Sequence, residues 1–353
     1  YAHSMSDDQR LYRPAAELEE ERKHDPILRL RRHLTEKMEV AAEDLDALEA
    51  ECRSDVKQAS ARAQSSPRHK PENALLYLYS SDVDPTGDDF AVEPEEDGDP
   101  ISVLESINRT LHDEMGRDAA IVVFGEDVAD ATNEEVLEEC KGKGGVFKAT
   151  AGLQRAYGAH RVFNAPLAEA NIVGRAVGMA TRGLKPVVEI QYELATMRWR
   201  SYNHFASPAV IRVATGGYLQ GGAMYHSQSG VHLFASLPGL RVVMPSNAQD
   251  AVGLLRTAIR CEDPVIFLEH KHLYRQPYAK APYPGPDYTV PFGRARLHRE
   301  GEDLTIVTYG ALVRRSELAA KQAERELGLS VEILDLRSLA PWDHEAVRKS
   351  VEK

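Results

Sequence analysis

The chain has 353 residues, 42% of them hydrophobic and 28% charged, which is enough for two or three domains and a large core. A formal net charge of −12 argues against nucleic acid as a partner, because phosphate backbones need basic surfaces, and no apolar run approaches the length of a membrane span. Cys52, Cys140 and Cys261 are widely spaced and unpaired by any motif, so they read as reduced thiols and not as a disulfide framework or a zinc site. Neither end carries a signal-peptide pattern, and the chain begins without Met, so the true N-terminus is expected upstream.

The first segment, His3-Ser4-Met5-Ser6-Asp7-Asp8 with Arg10 and Arg13, is by itself polar and turn-prone. Residues 14–66 are helical in composition. Asp25-Pro26 is a helix start, followed by Ile27, Leu28, Leu30 and Leu34. A second amphipathic run places Leu45, Leu48, Cys52 and Val56 on one stripe. Such a pair either binds a partner or packs as a peripheral tail on its own domain. Residues 80–100 follow, and the nine acids of 82–99, with no Lys or Arg among them, read as a solvated linker, at most partly ordered.

From Ile101 helix and strand alternate. Ile121–Gly125, Val210–Val213, Arg241–Met244 and Val265–Leu268 read as short buried strands, and Ser246 is placed to cap a helix carrying Ala248, Val252, Leu255 and Ile259. This alternation predicts a mostly parallel sheet covered on both faces. Between the first two strands, Pro166 and Glu169 suit a helix N-terminus, with Ala170, Val173, Gly174 and Val177 on one face. Gly183 and Pro186 end that helix, and Val187 to Tyr192 reads as a strand. Ala176, Gly178 and Ala180 leave little bulk on its other faces, so other backbones can approach. A lone Glu on so apolar an element is either a first-turn dipole partner or an acid kept in a dry site for chemistry. Leu304–Thr308, a helix through Arg325 and strand Val331–Leu334 begin a further unit that stops at Lys353. One such unit does not make a domain, so the polypeptide is expected to be cut at both ends.

Several motifs drop out. Gly142-Lys143-Gly144-Gly145 has neither the Walker nor the dinucleotide spacing, and no G-x-S-x-G surrounds Ser227 or Ser229. The thirteen histidines include no H-E-x-x-H or paired Cys/His ligands, which argues against a protein-built metal centre. Beside Glu169 and the His3 segment, Tyr225-His226-Ser227-Gln228-Ser229 survives, preceded by Gly216-Gly217 and Gly221-Gly222. Glycines around a polar histidine cluster suit a loop that a ligand approaches closely, though a structural loop histidine has the same pattern.

Together these segments resemble one family, the thiamine-diphosphate-dependent, decarboxylating first component of 2-oxo acid dehydrogenase complexes. The residues carrying the resemblance are FGEDV (124–128), GGVFKAT (144–150), GLQ (152–154), PLAEANIVG (166–174), GLKPVVEIQ (183–191), YHSQS (225–229), PGLRVVMPS (238–246), DPVIFLEHKHLYR (263–275) and DLR (335–337). They belong to the β-type subunit over residues 101–353. HSMSDD…YRP and LYLYSSDVDP are similar to the last part of the α-type subunit, so the two types read as fused through the acidic linker. The resemblance implies an α/β protein with a transketolase-like thiamine-diphosphate-binding fold: 1–79 the mostly helical end of the α-type subunit, 80–100 the linker, 101–290 a pyrimidine-binding domain, and 291–353 the start of a transketolase-type C-terminal domain.

By the same resemblance Glu169 hydrogen-bonds the aminopyrimidine N1′ of the cofactor, which serves as the electron sink for loss of CO₂. His226 matches a histidine near the reacting carbon, and His3 one of the α-type active-site loop, followed at Ser4 by a position phosphorylated in some relatives. Gln191 and Leu167 fall at the pyrimidine pocket, and Glu126 is a buried acid close to the cofactor. The diphosphate- and Mg²⁺-binding motif, Gly-Asp-Gly with a distant Asn, is absent, and its ligands are expected upstream. An aromatic cofactor wall is also expected after Tyr192, where Glu193-Leu194-Ala195-Thr196 stand instead. The implied partners are a 2-oxo acid, pyruvate or branched-chain, a lipoyl-bearing acyltransferase and further copies of the chain, with no nucleic acid and no membrane, in a bacterial cytoplasm rather than a mitochondrial matrix. The rival readings are a non-catalytic subunit fragment or scaffold, and a transketolase-like enzyme on sugar phosphates, which needs a basic phosphate pocket.

Overall fold

The computed structural model describes residues 8–353 except 68–69, 71, 74–75, 96, 132–133, 146, 167, 190–205 and 219–226. It divides into two units, residues 1–74 and 75–353.

The first unit is helical, with α1 (Ala15–Arg22), α2 (Pro26–Lys37) and α3 (Ala42–Ser65). Asp25 caps α2 by accepting from the Ile27 N–H at 2.8 Å, with Pro26 opening the helix, as the sequence predicts. Arg31 of α2 bonds Asp46 and comes within 3.7 Å of Glu49, which ties α2 to α3. The two apolar stripes meet in one open groove lined by Ile27, Leu28, Leu30, Leu34, Leu45, Leu48, Cys52 and Val56. No described residue of the three helices is buried within this unit.

The second unit opens with β1 (Asp97–Ile101) and α4 (Val103–Arg117), the latter started by a reciprocal box between Ser102 and Glu105. Then come β2 (Ile121–Gly125), α5 (Leu153–Tyr157), β3 (Val162–Asn164), α6 (Glu169–Ala180), β4 (Lys185–Glu189), β5 (Val210–Thr215), α7 (Val231–Ala235), β6 (Arg241–Val243), α8 (Ala248–Arg260), β7 (Val265–His270) and β8 (Ala281–Tyr283). The last stretch holds β9 (Arg296–Arg299), β10 (Leu304–Thr308), α9 (Leu312–Leu327), β11 (Val331–Asp335), β12 (Ser338–Ala340) and α10 (His344–Val351).

Seven strands form one sheet in the order β12-β6-β7-β5-β4-β2-β3, parallel except for β12, which runs antiparallel to β6. Successive residues of a strand point to opposite faces, and both faces are dry. On one, Val123, Val187, Val265 and Phe267 meet Ile107 and Leu111 of α4 and Leu254 and Leu255 of α8. On the other, Val122, Phe124, Val188 and Ile211 meet Ile172, Val173 and Ala176 of α6. Each fully buried side chain of this kind contributes roughly 1.5–3 kcal/mol.

The predicted strand from Val187 is β4, while residues 190–192 lie outside the described residues. The predicted cap is corrected: Asn247, not Ser246, caps α8 by accepting from the Asp250 N–H at 3.0 Å. The Ser246 hydroxyl instead donates to Asp335, a partner 89 positions away that no local pattern reveals.

The stretch 80–100, expected as a solvated connection, is docked along this second unit. The Ser80 N–H donates to Asp263 at 2.6 Å, Phe292 N–H to the Pro85 carbonyl at 2.8 Å and Glu95 N–H to the Pro284 carbonyl at 2.9 Å, and β1 pairs antiparallel with β8. Composition registers only the side chains, and here backbone groups make most of the attachments. Just before it, the Tyr79 ring lies 3.6 Å below the Arg241 guanidinium, which pairs with Asp263 at 3.0 Å.

Arg256, fully buried in α8, binds Glu114 of α4 at 3.1 Å and the carbonyls of Gly285 and Tyr288 at 3.1 and 2.7 Å. Arg260 and Arg117 also bind Glu114, at 2.9 and 3.0 Å, so removing Arg256 takes one of its three cations and leaves the Gly285 and Tyr288 carbonyls without that donor. Arg256→Ala therefore lowers stability by about 3–5 kcal/mol, measured by urea unfolding.

The final stretch builds a three-stranded sheet, β10-β11-β9, and sends β12 back to the large sheet. The crossing point holds Asp250, Asp335, Arg296 and Arg337, with Arg337 on Asp250 at 2.9 Å and Arg296 on Asp335 at 3.1 Å. Burial, then the Asp250 carboxylate, pushes Asp335 up to about 6 from its ordinary 3.8, while Asp250 is held below its usual value despite burial by Arg337 and Arg296. A carboxyl raised by folding costs stability only once ionised. Relative to Asp335→Asn, the native chain loses stability as pH rises from about 4 through about 6. Unfolding midpoints of the two proteins across that range test this, and a constant difference contradicts it.

Candidate active site

In open parallel sheets, ligands bind beyond the carboxyl ends of strands where the strand order reverses. Here β2 leads to β3 on one side, and the chain then returns to β4 on the other side of β2. The crevice therefore lies beyond β2 and β4, whose last residues, Gly125 and Glu189, are register partners.

Two of the sequence-predicted residues come to this place. Glu126 immediately follows β2 and is half-buried. Glu169 is the first residue of α6, the helix that carries the chain from β3 to β4. The Ala165 N–H donates to the Gly125 carbonyl at 2.8 Å, so the backbone just before Glu126 is tied to the backbone four residues before Glu169. No side chain caps α6, since Ala168 stands at that position, and its first N–H groups favour a negative or electron-rich partner. Ile172, Val173 and Ala176 bury the helix against β2 and β4, while an added Cβ at Gly174 or Gly178 meets nothing within 4 Å. Leu167, Gln191, His226 and His3 lie outside the described residues, as does the stretch after Tyr192.

The loop after β2 is fixed by polar contacts at its base. Asn164 at the end of β3 accepts from the Ala129 N–H at 2.8 Å, Gln154 from Ala131 at 2.9 Å and Asp130 from Gly152 at 2.9 Å. Gly144, at φ +59°, passes so close to Ala151 that a Cβ there would lie 2.1 Å from its Cα. Gly144, in the run that fails as a phosphate loop, is thus needed for backbone packing.

Beyond β5 the chain is pinned as well. The Thr215 hydroxyl and the Gly216 N–H both donate to the Gln228 carbonyl, at 2.8 and 3.1 Å, which anchors the chain two residues after His226 to this end of the sheet. Opposite Thr215, His270 ends β7. Its ring lies against Gly216 so tightly that a Cβ there would be 2.3 Å from Nε2. Burial first, then His272 and Lys271, holds the His270 imidazole down at about 4, so it stays neutral at physiological pH. Behind it, buried Arg212 pairs with Glu269, which also accepts from the Tyr274 hydroxyl at 2.7 Å. Within 263–275 the apolar run Val265–Leu268 is the expected strand, and His270 was not among the expected site residues. The available signal was a histidine two residues past the four-residue apolar run Val265–Leu268. Among the described residues no group of three His, Cys, Asp or Glu is arranged to hold a metal ion.

The chain matches the family descriptions "Transketolase, pyrimidine binding domain" over residues 99–277, "Transketolase, C-terminal domain" over 293–353 and "Dehydrogenase E1 component" over 1–72. It is 42% identical over 266 residues to the 2-oxoisovalerate dehydrogenase subunit beta of Bacillus subtilis (strain 168), covering 72% of this chain and 76% of the relative. With the same coverages it is 44% identical to the pyruvate dehydrogenase E1 component subunit beta of Acholeplasma laidlawii. Among solved structures it shares its fold with a split gene transketolase described as an inactive beta4 tetramer, at a TM-score of 0.51 and 24% identity over 71% of this chain and 76% of that one. On these matches, the chain belongs to the family of dehydrogenase E1 components, with transketolase-like domains and β-type subunits of pyruvate and 2-oxoisovalerate dehydrogenases as its relatives.

Proposed function

We propose that this chain is part of the thiamine-diphosphate-dependent component that decarboxylates a 2-oxo acid, pyruvate or branched-chain, and reductively acylates the lipoyl group of a partner acyltransferase. The observation that carries the reading is Glu169 at the head of α6, beside the switch point beyond β2 and β4, in a chain of this family. What supports an aminopyrimidine here is Glu169 as the first residue of a helix that no side chain caps, with apolar Ile172 and Val173 of the same helix buried.

When bound, the cofactor supplies an electron sink for the loss of CO₂. Glu169 holds a proton at the pyrimidine ring nitrogen, which is effective only where water is scarce. Leu167 and Gln191 line the ring's pocket and Glu126 stands close to it. His226 serves the acyl-group steps, and His3 is a catalytic histidine of the α-type part. Mg²⁺ binds with the diphosphate through residues other than those described here. Residues 1–79 are the end of the α-type subunit, 80–100 the connection, 101–290 the pyrimidine-binding domain and 291–353 the start of the C-terminal domain. The protein works as an oligomer in a bacterial cytoplasm.

In the full-length protein supplied with thiamine diphosphate and Mg²⁺, Glu169→Gln lowers CO₂ release by about 10²–10⁴-fold without shifting thermal unfolding. Near-native turnover overturns the assignment. His226→Ala slows transfer to lipoamide by at least about tenfold, while decarboxylation coupled to ferricyanide persists. Equal rates of transfer return His226 to a structural role.

A further inference from the structure

One exposed cluster is used neither by the core nor by the chemistry above. Tyr218, at φ +67° and 52% exposed, stacks on His270 with ring centroids 5.8 Å apart and meets the edge of His272 at 5.7 Å. The guanidinium of Arg315, in the first turn of α9, lies 4.2 Å from the Tyr218 ring. The ring thereby joins the carboxyl end of the large sheet to the helix of the C-terminal sheet.

Among the described residues no carboxylate or carbonyl accepts from Arg315, and a cation–aromatic contact leaves its N–H fork available. Segments 216–218, 270–275 and 310–315 contain Lys271, Arg275, Arg314 and Arg315 and no acid, in a chain of net charge −12. Arg314 is paired with Glu317 at 2.6 Å and Lys271 is buried, but Arg275 and Arg315 are exposed. Within the sheet, β7 is two strands from β4, so the cluster stands on the order of 10 Å from the crevice, at the same end. Exposed Tyr and Arg flanked by half-buried rings are the residue types that dominate protein–protein recognition, and an open face of this kind suits a protein surface better than a small anion.

We propose that Tyr218, His272 and Arg315 dock the acidic surface of the lipoyl-bearing carrier domain that takes up the acyl group, an assignment that rests on the function proposed above. The cluster holds the domain within reach of the crevice and takes no part in the loss of CO₂.

The test uses the full-length protein with thiamine diphosphate and Mg²⁺, and as probe the lipoyl domain of the acyltransferase from the same organism. Arg315→Glu and Tyr218→Ala each lower kcat/KM for the lipoyl domain by at least about tenfold. Ferricyanide-coupled decarboxylation and transfer to free lipoamide stay unchanged. Acylation of the domain by the native protein slows with rising salt, and that dependence flattens in Arg315→Glu. Binding of the unlipoylated domain, measured by calorimetry without any 2-oxo acid, weakens in the same variants. Unchanged kcat/KM and unchanged binding overturn the docking site. So does an equal loss with free lipoamide, or a raised KM for the 2-oxo acid with ferricyanide, which reassigns the cluster to small anions. A native protein that releases CO₂ from no 2-oxo acid overturns the parent function instead, and the calorimetric comparison then still decides the docking site by itself.

Discussion

A parallel sheet buried on both faces governs the rest of this molecule. Every strand interior from β2 to β7 is covered, by α4 and α8 on one side and by α6 on the other. Polar groups on such strands must be paired or displaced to the ends. Arg212 with Glu269 and Arg241 with Asp263 are the paired exceptions. Glu126, Thr215 and His270 all lie at or just past the carboxyl end of a strand, at one end of the sheet.

That constraint explains why α6 is built of small and apolar residues. It spans from β3 over β2 to β4 and must bury Ile172, Val173 and Ala176 while keeping its first turn at the crevice. The same economy shapes the loops. Gly144 and Gly216 stand where neighbouring Ala151 and His270 leave no space for a Cβ, so the backbone itself does the packing.

The C-terminal stretch is held to the large sheet by charge as well as by strands. β12 leaves its own sheet to extend the large one, and the segment before it carries Asp335 and Arg337 to Ser246 and Asp250. The aromatic contact between Tyr218 and Arg315 spans the same two sheets. The two parts of the unit are thus joined through a buried ionic cluster and an exposed cation–aromatic pair.

Local pattern alone located most elements. Periodicity marked the α2 and α3 stripes, and apolar runs marked β2, β5, β6 and β7, because those signals depend only on neighbours in the chain. Pro166 and Glu169 marked the start of α6 for the same reason, and the family likeness attached chemistry to Glu169. Other features had no local signature. The reversal of strand order at β2 depends on pairing between distant segments. The bond of Ser246 to Asp335, the docking of 80–100 and the meeting of Tyr218 with Arg315 each join residues far apart in sequence. Sequence by itself determined the periods, the helix starts and the family. Tertiary structure decided which strand ends form a crevice, which charges are neutralised and which are left facing outward, because those outcomes are set by the folding of the sheet and not by any run along the chain.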